Sequence, residues 1–326
     1  MAENQIQCEL CPKLCLIDDG LAGDCRMRFN RGGKLIAATY GRPCAVHVDP
    51  IEKKPLFHFL PGSRAFSIAT AGCNLHCKNC QNWEISQAFP YEVEAYDMPP
   101  DKVVDLARQQ RCASIAYTYT EPVAFYEYTY DTSVAARAAG VRNVLVTAGY
   151  LNPKPLRRLY KVTDAANVDL KYFSDALYRS NSEGTLQPVL DGLVIAKEEN
   201  VWLEVTNLLI PTISDDFGMI GQMCRWMARN RGADTPLHFS RFHPQYKLRE
   251  LPVTPDQTLD RAEQIARDAG LHYVYIGNRP GELGETTTCP HDGETLIRRV
   301  GFQILENNLR DGACPKCRRP APGVWK

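Results

Sequence analysis

The chain lacks a net charge: 38 Lys and Arg are matched by 38 Asp and Glu. That balance removes the overall pull toward nucleic acid or an anionic membrane surface, and neither is expected as a partner. Long apolar runs are missing too. Stretches such as Val144-Leu145-Val146 and Leu208-Leu209-Ile210 fall far short of the ~20 residues that span a bilayer. The start, Met1-Ala2-Glu3-Asn4-Gln5, has no basic stretch followed by an apolar core, so no secretory leader is read and a cytoplasmic location is expected. With 326 residues, 44% of them apolar, the chain suits one large core with smaller appendages.

What it has in quantity is cysteine, 13 in all. In a reducing compartment disulfides are rare, so metal ligation is the better reason for so many thiols. They are also grouped: Cys8, Cys11, Cys15 and Cys25; then Cys73, Cys77 and Cys80; then Cys289, Cys314 and Cys317. Cys44, Cys112 and Cys224 stand alone, as small buried hydrophobes do.

The central group has the spacing CxxxCxxC and follows the apolar stretch 66–71. Three thiolates on one tight loop can hold three irons of a 4Fe-4S cluster and leave the fourth open. They can equally form a zinc site with His76 as fourth ligand, and spacing alone does not choose. The N-terminal quartet has enough sulfur for a closed zinc site or for an auxiliary iron-sulfur cluster. The C-terminal group reads as two knuckles of a zinc-ribbon or rubredoxin-like site with one cysteine missing. Its fourth ligand to zinc or iron is then Asp292, His291 or nothing. Basic residues around it, such as Arg298, Arg310 and Arg318, have no aromatic cluster beside them and read as a solvated face.

Between the outer groups, apolar runs at 66–71, 114–118, 143–147, 166–170, 202–209, 237–242 and 273–276 alternate with amphipathic stretches at 101–111, 132–139 and 256–269. This is the pattern of repeated βα units around a parallel sheet. The expected fold is α/β, a partial (β/α)6 TIM-like barrel. Residues 1–60 form an N-terminal cysteine-rich segment, 61–285 the barrel and 286–326 a C-terminal metal-binding module. Loops after the strands' C-terminal ends carry chemistry in such folds, and the central cysteines follow the first strand. Tyr119, Glu204, Thr206, Asn207, His238, Ser240, Arg241 and Asn278 are expected to face the barrel mouth as substrate contacts; the alternative is that they fill the core.

These features resemble the radical SAM superfamily. Beyond CxxxCxxC, Asp169-Leu170-Lys171 matches a segment of the pyruvate formate-lyase activating enzymes, Thr147-Ala148-Gly149 is similar to their Thr-Asn-Gly, and Glu121 matches a glutamate whose neighbouring glycines are absent here. Closer still is a resemblance to the radical SAM enzymes of the AmmeMemoRadiSam system, carried by 49–59, 80–86, 117–122 and 275–278 and by both cysteine-rich ends. The resemblance implies S-adenosylmethionine (SAM) held by Asn79, Thr120, Glu121, Thr147, Asp169, Lys171, Thr206 and His243. It puts a monovalent cation beside Asp169 and Thr147 and makes His243 the one candidate catalytic residue. Asn79 departs from the family, which usually has an aromatic residue there, so side-chain stacking on adenine is lost.

The chemistry so implied is reductive cleavage of SAM to methionine and a 5′-deoxyadenosyl radical that takes hydrogen from a substrate. The substrate is unidentified; a glycyl-radical partner enzyme, another protein and a small molecule all fit. A one-electron donor such as flavodoxin or ferredoxin is required. The alternative from another class is a zinc-binding interaction module contacting RNA or protein without catalysis.

Overall fold

Short strands buried on both faces carry this fold, as expected where a parallel sheet is covered by helices. The computed structural model describes residues 5–279, 281 and 284–326; the Met1-to-Asn4 start, read above for a leader, lies outside them. At the N-terminal end β1 (Ile6–Gln7) pairs with β2 (Leu16–Ile17) and β3 (Arg28–Arg31) with β4 (Lys34–Ala37), both antiparallel. The main sheet then runs in chain order through β5 (Ala45–Pro50), β6 (Arg64–Ala69), β7 (Ser114–Tyr117), β8 (Arg142–Thr147), β9 (Ala165–Asp169), β10 (Trp202–Leu209), β11 (Leu237–Arg241) and β12 (Val274–Gly277). From β6 to β12 every pairing is parallel, while β5 lies antiparallel on β6. The two ends of the sheet do not pair among the described residues, which makes an incomplete barrel.

The seven apolar runs read in the sequence are all parallel strands among the described residues, β12 included, one more than a (β/α)6 barrel counts. One expectation needs correction. The boundary placed at residue 60 cuts through the sheet, because β5 comes from the segment assigned to the N-terminal appendage. The alternation of Val46 and Val48 with His47 and Asp49 is a strand pattern, too short to stand out beside the cysteines.

Helices α1 (Trp83–Ser86), α2 (Pro100–Gln109), α3 (Tyr126–Ala138), α4 (Pro153–Tyr160), α5 (Asp175–Ser182), α6 (Gln187–Glu198), α7 (Phe217–Asn230) and α8 (Asp256–Asp268) lie between the strands. Each buries one face, as α2 does with Val103, Val104 and Ala107 and α8 with Leu259, Ala262 and Ala266. Side-chain caps start α5 (Ser174 to Leu177 N) and α7 (Asp216 to Met219 N). No helix among the described residues is long and apolar enough to cross a membrane.

The end of the barrel opposite the cysteine loop is plugged. Residues 51–60 cross the N-terminal ends of the strands, held by Glu204, which accepts hydrogen bonds from the backbone N–H groups of Phe57 (3.0 Å) and His58 (2.7 Å). His238 lies 2.7 Å from the same carboxylate. Glu204 and His238, expected at the mouth, therefore belong to the base: both stand early in their strands, and both are buried. The C-terminal module, β13 (Thr287–Thr288), β14 (Thr295–Val300) and β15 (Gln303–Asn307), docks on the same plug. Its fully buried Arg299 donates to the carbonyl of Phe57 (2.6 Å) and to Thr287 Oγ1 (2.7 Å).

His58 completes this contact. A carbonyl can only accept, so Nδ1 donates to Pro322 O (2.7 Å) and Nε2 is left to accept from the Tyr275 hydroxyl (2.6 Å). Burial disfavours the imidazolium and brings the pKa from 6.5 down to about 4. Between those values the unfolded chain binds the proton and the folded one does not. Stability contributed by His58 is thus complete above pH 6.5 and is lost as pH falls toward 4. We expect a loss of up to about 3 kcal/mol between pH 7 and 4 from this group, read as a falling urea midpoint. The slope should flatten in His58→Gln.

Candidate active site

The loop carrying Cys73, Cys77 and Cys80 leaves the C-terminal end of β6 and is pinned by elements far away in sequence. His76 N donates to Ser182 O (3.0 Å) and Lys78 N to Asn181 O (2.9 Å), tying the loop to the end of α5, while Gly72 N donates to Ile85 O (2.9 Å) in α1. From the β11–α8 connection, Gln245 Nε2 donates to Asn79 O (3.1 Å), and the Tyr246 ring stacks on Trp83 at 5.1 Å. Gly72, at φ +88, has no room for a side chain: a Cβ there would lie 2.6 Å from the Cys25 carbonyl.

The three thiols are matched to hydroxyl and backbone partners. Cys77 Sγ lies 3.1 Å from Ser182 Oγ, Cys80 Sγ 3.1 Å from Ser86 Oγ, and the Leu75 N–H points to Cys73 Sγ at 3.4 Å. Burial raises the Cys73 thiol well above its ordinary range, with Glu121 and Cys77 adding to the effect; burial also raises Cys77. Thiolates here therefore need a cation among them, which an iron-sulfur core provides. His76, the alternative zinc ligand, is held elsewhere, 2.6 Å from Gln87 Oε1 and 2.9 Å from Asp24.

Neighbouring strand ends supply the next ring of groups. The buried Glu121 accepts from Thr147 Oγ1 (2.5 Å) and Ala148 N (2.7 Å), joining the ends of β7 and β8; burial still raises its pKa. Lys171 Nζ lies 2.9 Å from Asp169, so the groups linked above to a monovalent cation are each engaged inside the protein. Burial pulls the Lys171 amine down, but Asp169 and Cys77 outweigh it and leave its pKa well above the usual value. The turn between them is braced by Asn207, whose Nδ2 donates to Leu170 O (2.7 Å), and by Tyr178, whose hydroxyl accepts from Lys171 N (3.1 Å).

Other expected residues are used differently. Thr120 Oγ1 donates to Thr70 O (2.9 Å), and Thr206 Oγ1 to Asn167 Oδ1 (2.9 Å). Tyr119, at φ +64, turns inward to a buried pair formed by Asp49 and Lys54 (2.7 Å) and gives its hydroxyl to Asp49. Arg241 leaves the mouth for Thr254 O (3.0 Å) and Asp256 (2.6 Å) at the start of α8, while Asn278 bonds Ser240 Oγ (2.9 Å). His243 is exposed after β11. Ser86, Ser182 and Tyr178 were missed in the sequence, because serine and tyrosine have no diagnostic spacing; Asn207, expected as a substrate contact, instead braces the turn between Asp169 and Lys171.

At the two ends the cysteines also converge. Cys8, Cys11, Cys15 and Cys25 line one cavity beside the cysteine loop. In the C-terminal module Cys289, Asp292, Cys314 and Cys317 bring their ligand atoms within 4.8 Å of one another. Cys289 and Cys317 sulfurs are 3.7 Å apart, close to the about 3.8 Å edge of a tetrahedron with 2.3 Å metal–sulfur bonds. His291, the other candidate, turns its Nδ1 to Arg319 (2.7 Å).

The chain is similar to known proteins in both sequence and fold. A family model described as the Radical SAM superfamily matches residues 67–223. An uncharacterized protein of Methanocaldococcus jannaschii is 44% identical over 317 residues, covering 97% of this chain and 94% of the relative. Among solved structures, a radical SAM methyltransferase from Sphaerobacter thermophilus superposes with a TM-score of 0.51 at 16% identity, over 66% of each chain. SuiB from Streptococcus suis, solved with S-adenosylmethionine, gives 0.52 at 9% identity, over 70% of this chain and 53% of that one.

A deprotonated sulfur can only accept, so both serine hydroxyls must turn to donate once metal is bound. Such bonds favour the more negative, reduced state of a cluster. Ser182→Ala or Ser86→Ala should retain iron but shift the cluster midpoint negative by roughly 40 mV, for a bond worth about 1 kcal/mol. Redox titration followed by electron paramagnetic resonance (EPR) reads the shift.

Proposed function

Because this chain belongs to the radical SAM superfamily and is an enzyme of that class, we propose that Cys73, Cys77 and Cys80 hold a 4Fe-4S cluster whose open iron takes SAM. The radical so produced removes hydrogen from a carbon of an unidentified substrate. The observation that carries this reading is the trio of thiols, Cys77 buried and Cys73 and Cys80 half-buried, with the Lys171 amine beside Cys77, at the end of the barrel where chemistry sits. When bound, the reduced cluster would supply one electron and SAM would accept it as a carbon–sulfur bond breaks, giving methionine and the 5′-deoxyadenosyl radical. The protein's own part is to bind, orient and shield. Lys171, kept protonated by Asp169 and Cys77, offers a cation to the SAM carboxylate. Glu121 holds the β7 and β8 ends together around the SAM amino group, and the 242–255 connection covers the loop from solvent.

Asp169-Leu170-Lys171 and Glu121 support a narrower form of this reading, in which the chain activates a partner enzyme by forming a glycyl radical. A flavodoxin or ferredoxin would supply the electron. Anaerobic protein reconstituted with iron and sulfide, then given dithionite and SAM, should release 5′-deoxyadenosine, detected by chromatography. Lys171→Ala should lower the yield at least about tenfold with iron unchanged, an effect of about 1.4 kcal/mol or more; a filled cluster that yields no nucleoside sinks the proposal. A protein-based EPR doublet in a mixture with the partner marks the activase role.

The C-terminal set is read as one zinc ion in a Cys3Asp site. The compact spacing and the ionised Asp292, whose pKa is lowered to about 2 chiefly by the Glu294 N–H, support it. Its role is to staple a module too small to bury a core of its own. Elemental analysis of the full chain should find one zinc that survives mild chelation in wild type and Asp292→Cys but not in Asp292→Ala. Zinc retained equally by the alanine variant counts against Asp292.

A further inference from the structure

The N-terminal cysteines take no part in the function proposed above, yet they enclose a built space. Cys8, Cys11 and Cys25 are buried, and with Cys15 they line one cavity closed by Val123 and Ala124. Arg28 lines it too. Its side chain is only 7% exposed, one Nη donates to Glu127 at 2.6 Å, and its Nε–H has no hydrogen-bond partner. A buried guanidinium with an unspent donor beside four thiols is costly when the cavity holds nothing anionic. A tetrathiolate cluster is an anion whose sulfurs accept such a bond.

Sulfur spacing separates one ion from a cluster. The C-terminal set gathers within 4.8 Å, as a single tetrahedral ion requires. No three of the N-terminal thiols gather that tightly, nor do Cys73, Cys77 and Cys80, although all seven lie among the described residues. The quartet is thus spread more widely than one tetrahedral ion requires, as a cluster with one thiolate on each iron demands. It also abuts the central cysteine loop. Asn74 lines the same cavity and follows Cys73 directly in the chain, and the Cys25 carbonyl fills the place of a Gly72 side chain.

We infer that Cys8, Cys11, Cys15 and Cys25 hold a second 4Fe-4S cluster, capped by a thiolate on every iron and separated from the central cysteine loop by Asn74. With no open iron it binds neither SAM nor substrate. Its chemistry is one-electron exchange: a low-potential carrier of the flavin or iron-sulfur class loses one electron, the cluster gains it, and no bond to the protein forms or breaks. Only the identity of its neighbour rests on the function proposed above.

The full chain, reconstituted anaerobically, should carry about eight irons and eight sulfides, against about four of each in Cys73→Ala/Cys77→Ala/Cys80→Ala and about four in Cys8→Ala/Cys11→Ala/Cys15→Ala/Cys25→Ala. SAM should change the EPR spectrum of the cluster left in the N-terminal variant and leave that of the central-triplet variant untouched. Zinc in place of iron in the central-triplet variant, or no metal there at all, overturns the inference, as does a SAM-sensitive signal from it. If the N-terminal variant fails to fold, the central-triplet variant and the wild-type iron count decide alone. Wild type that makes no 5′-deoxyadenosine while the central-triplet variant keeps four irons would sink the function proposed above and leave this cluster standing.

Discussion

Three thiols packed together against an apolar core, Cys77 buried and Cys73 and Cys80 half-buried, cannot all carry charge unless a cation joins them and donors surround them, and much of this fold meets that requirement. The loop holding Cys73, Cys77 and Cys80 is short, so its partners come from elsewhere. Ser86 comes from α1, and Ser182 with the Asn181 carbonyl from the end of α5; the 242–255 connection brings Gln245. Each is delivered by a βα unit whose own stability comes from burying one helix face on the sheet. Rigid strands with loops gathered at one end let segments so distant meet with hydrogen-bond accuracy.

The opposite end solves a different problem. Strand ends at the barrel base expose polar side chains, and here they are closed by a crossing segment and the C-terminal cysteine-bearing module. Glu204 alone receives the N–H groups of Phe57 and His58 together with the indole of Trp202 (3.1 Å) and the ring of His238. A carboxylate with that many donors can stay charged with no solvent contact, and its pKa is lowered despite full burial. The two appendages therefore have different places: the N-terminal cysteines stand against the reactive loop, and the C-terminal ones brace the floor.

How much of this was legible in the sequence follows from what periodicity reports. The seven parallel strands were readable to within a residue or two, because each is an apolar run between turn signals. Cysteine spacing singled out the central loop, and Asp169-Leu170-Lys171 its neighbours. Alternation along a strand tells which face a residue takes but not how far along the barrel it sits, so Glu204 and His238 were placed at the wrong end. Tyr119 was misjudged for another reason. Its left-handed backbone reverses the side chain from the mouth into the lumen, a change that no pattern of residue types announces. The choice between His291 and Asp292 depended on Arg319, which captures the histidine from a distant part of the module.

The floor of the barrel also has a history in time. The His58 ring and the Pro322 carbonyl it holds are 264 residues apart in the chain. On a ribosome adding about 5–20 residues per second, the crossing segment waits roughly 15–50 s for that partner. Nascent chains of this protein are thus most vulnerable to chaperone capture, or to mispairing with one another, during a defined interval of synthesis that ends when the last cysteine-rich segment emerges and closes the base.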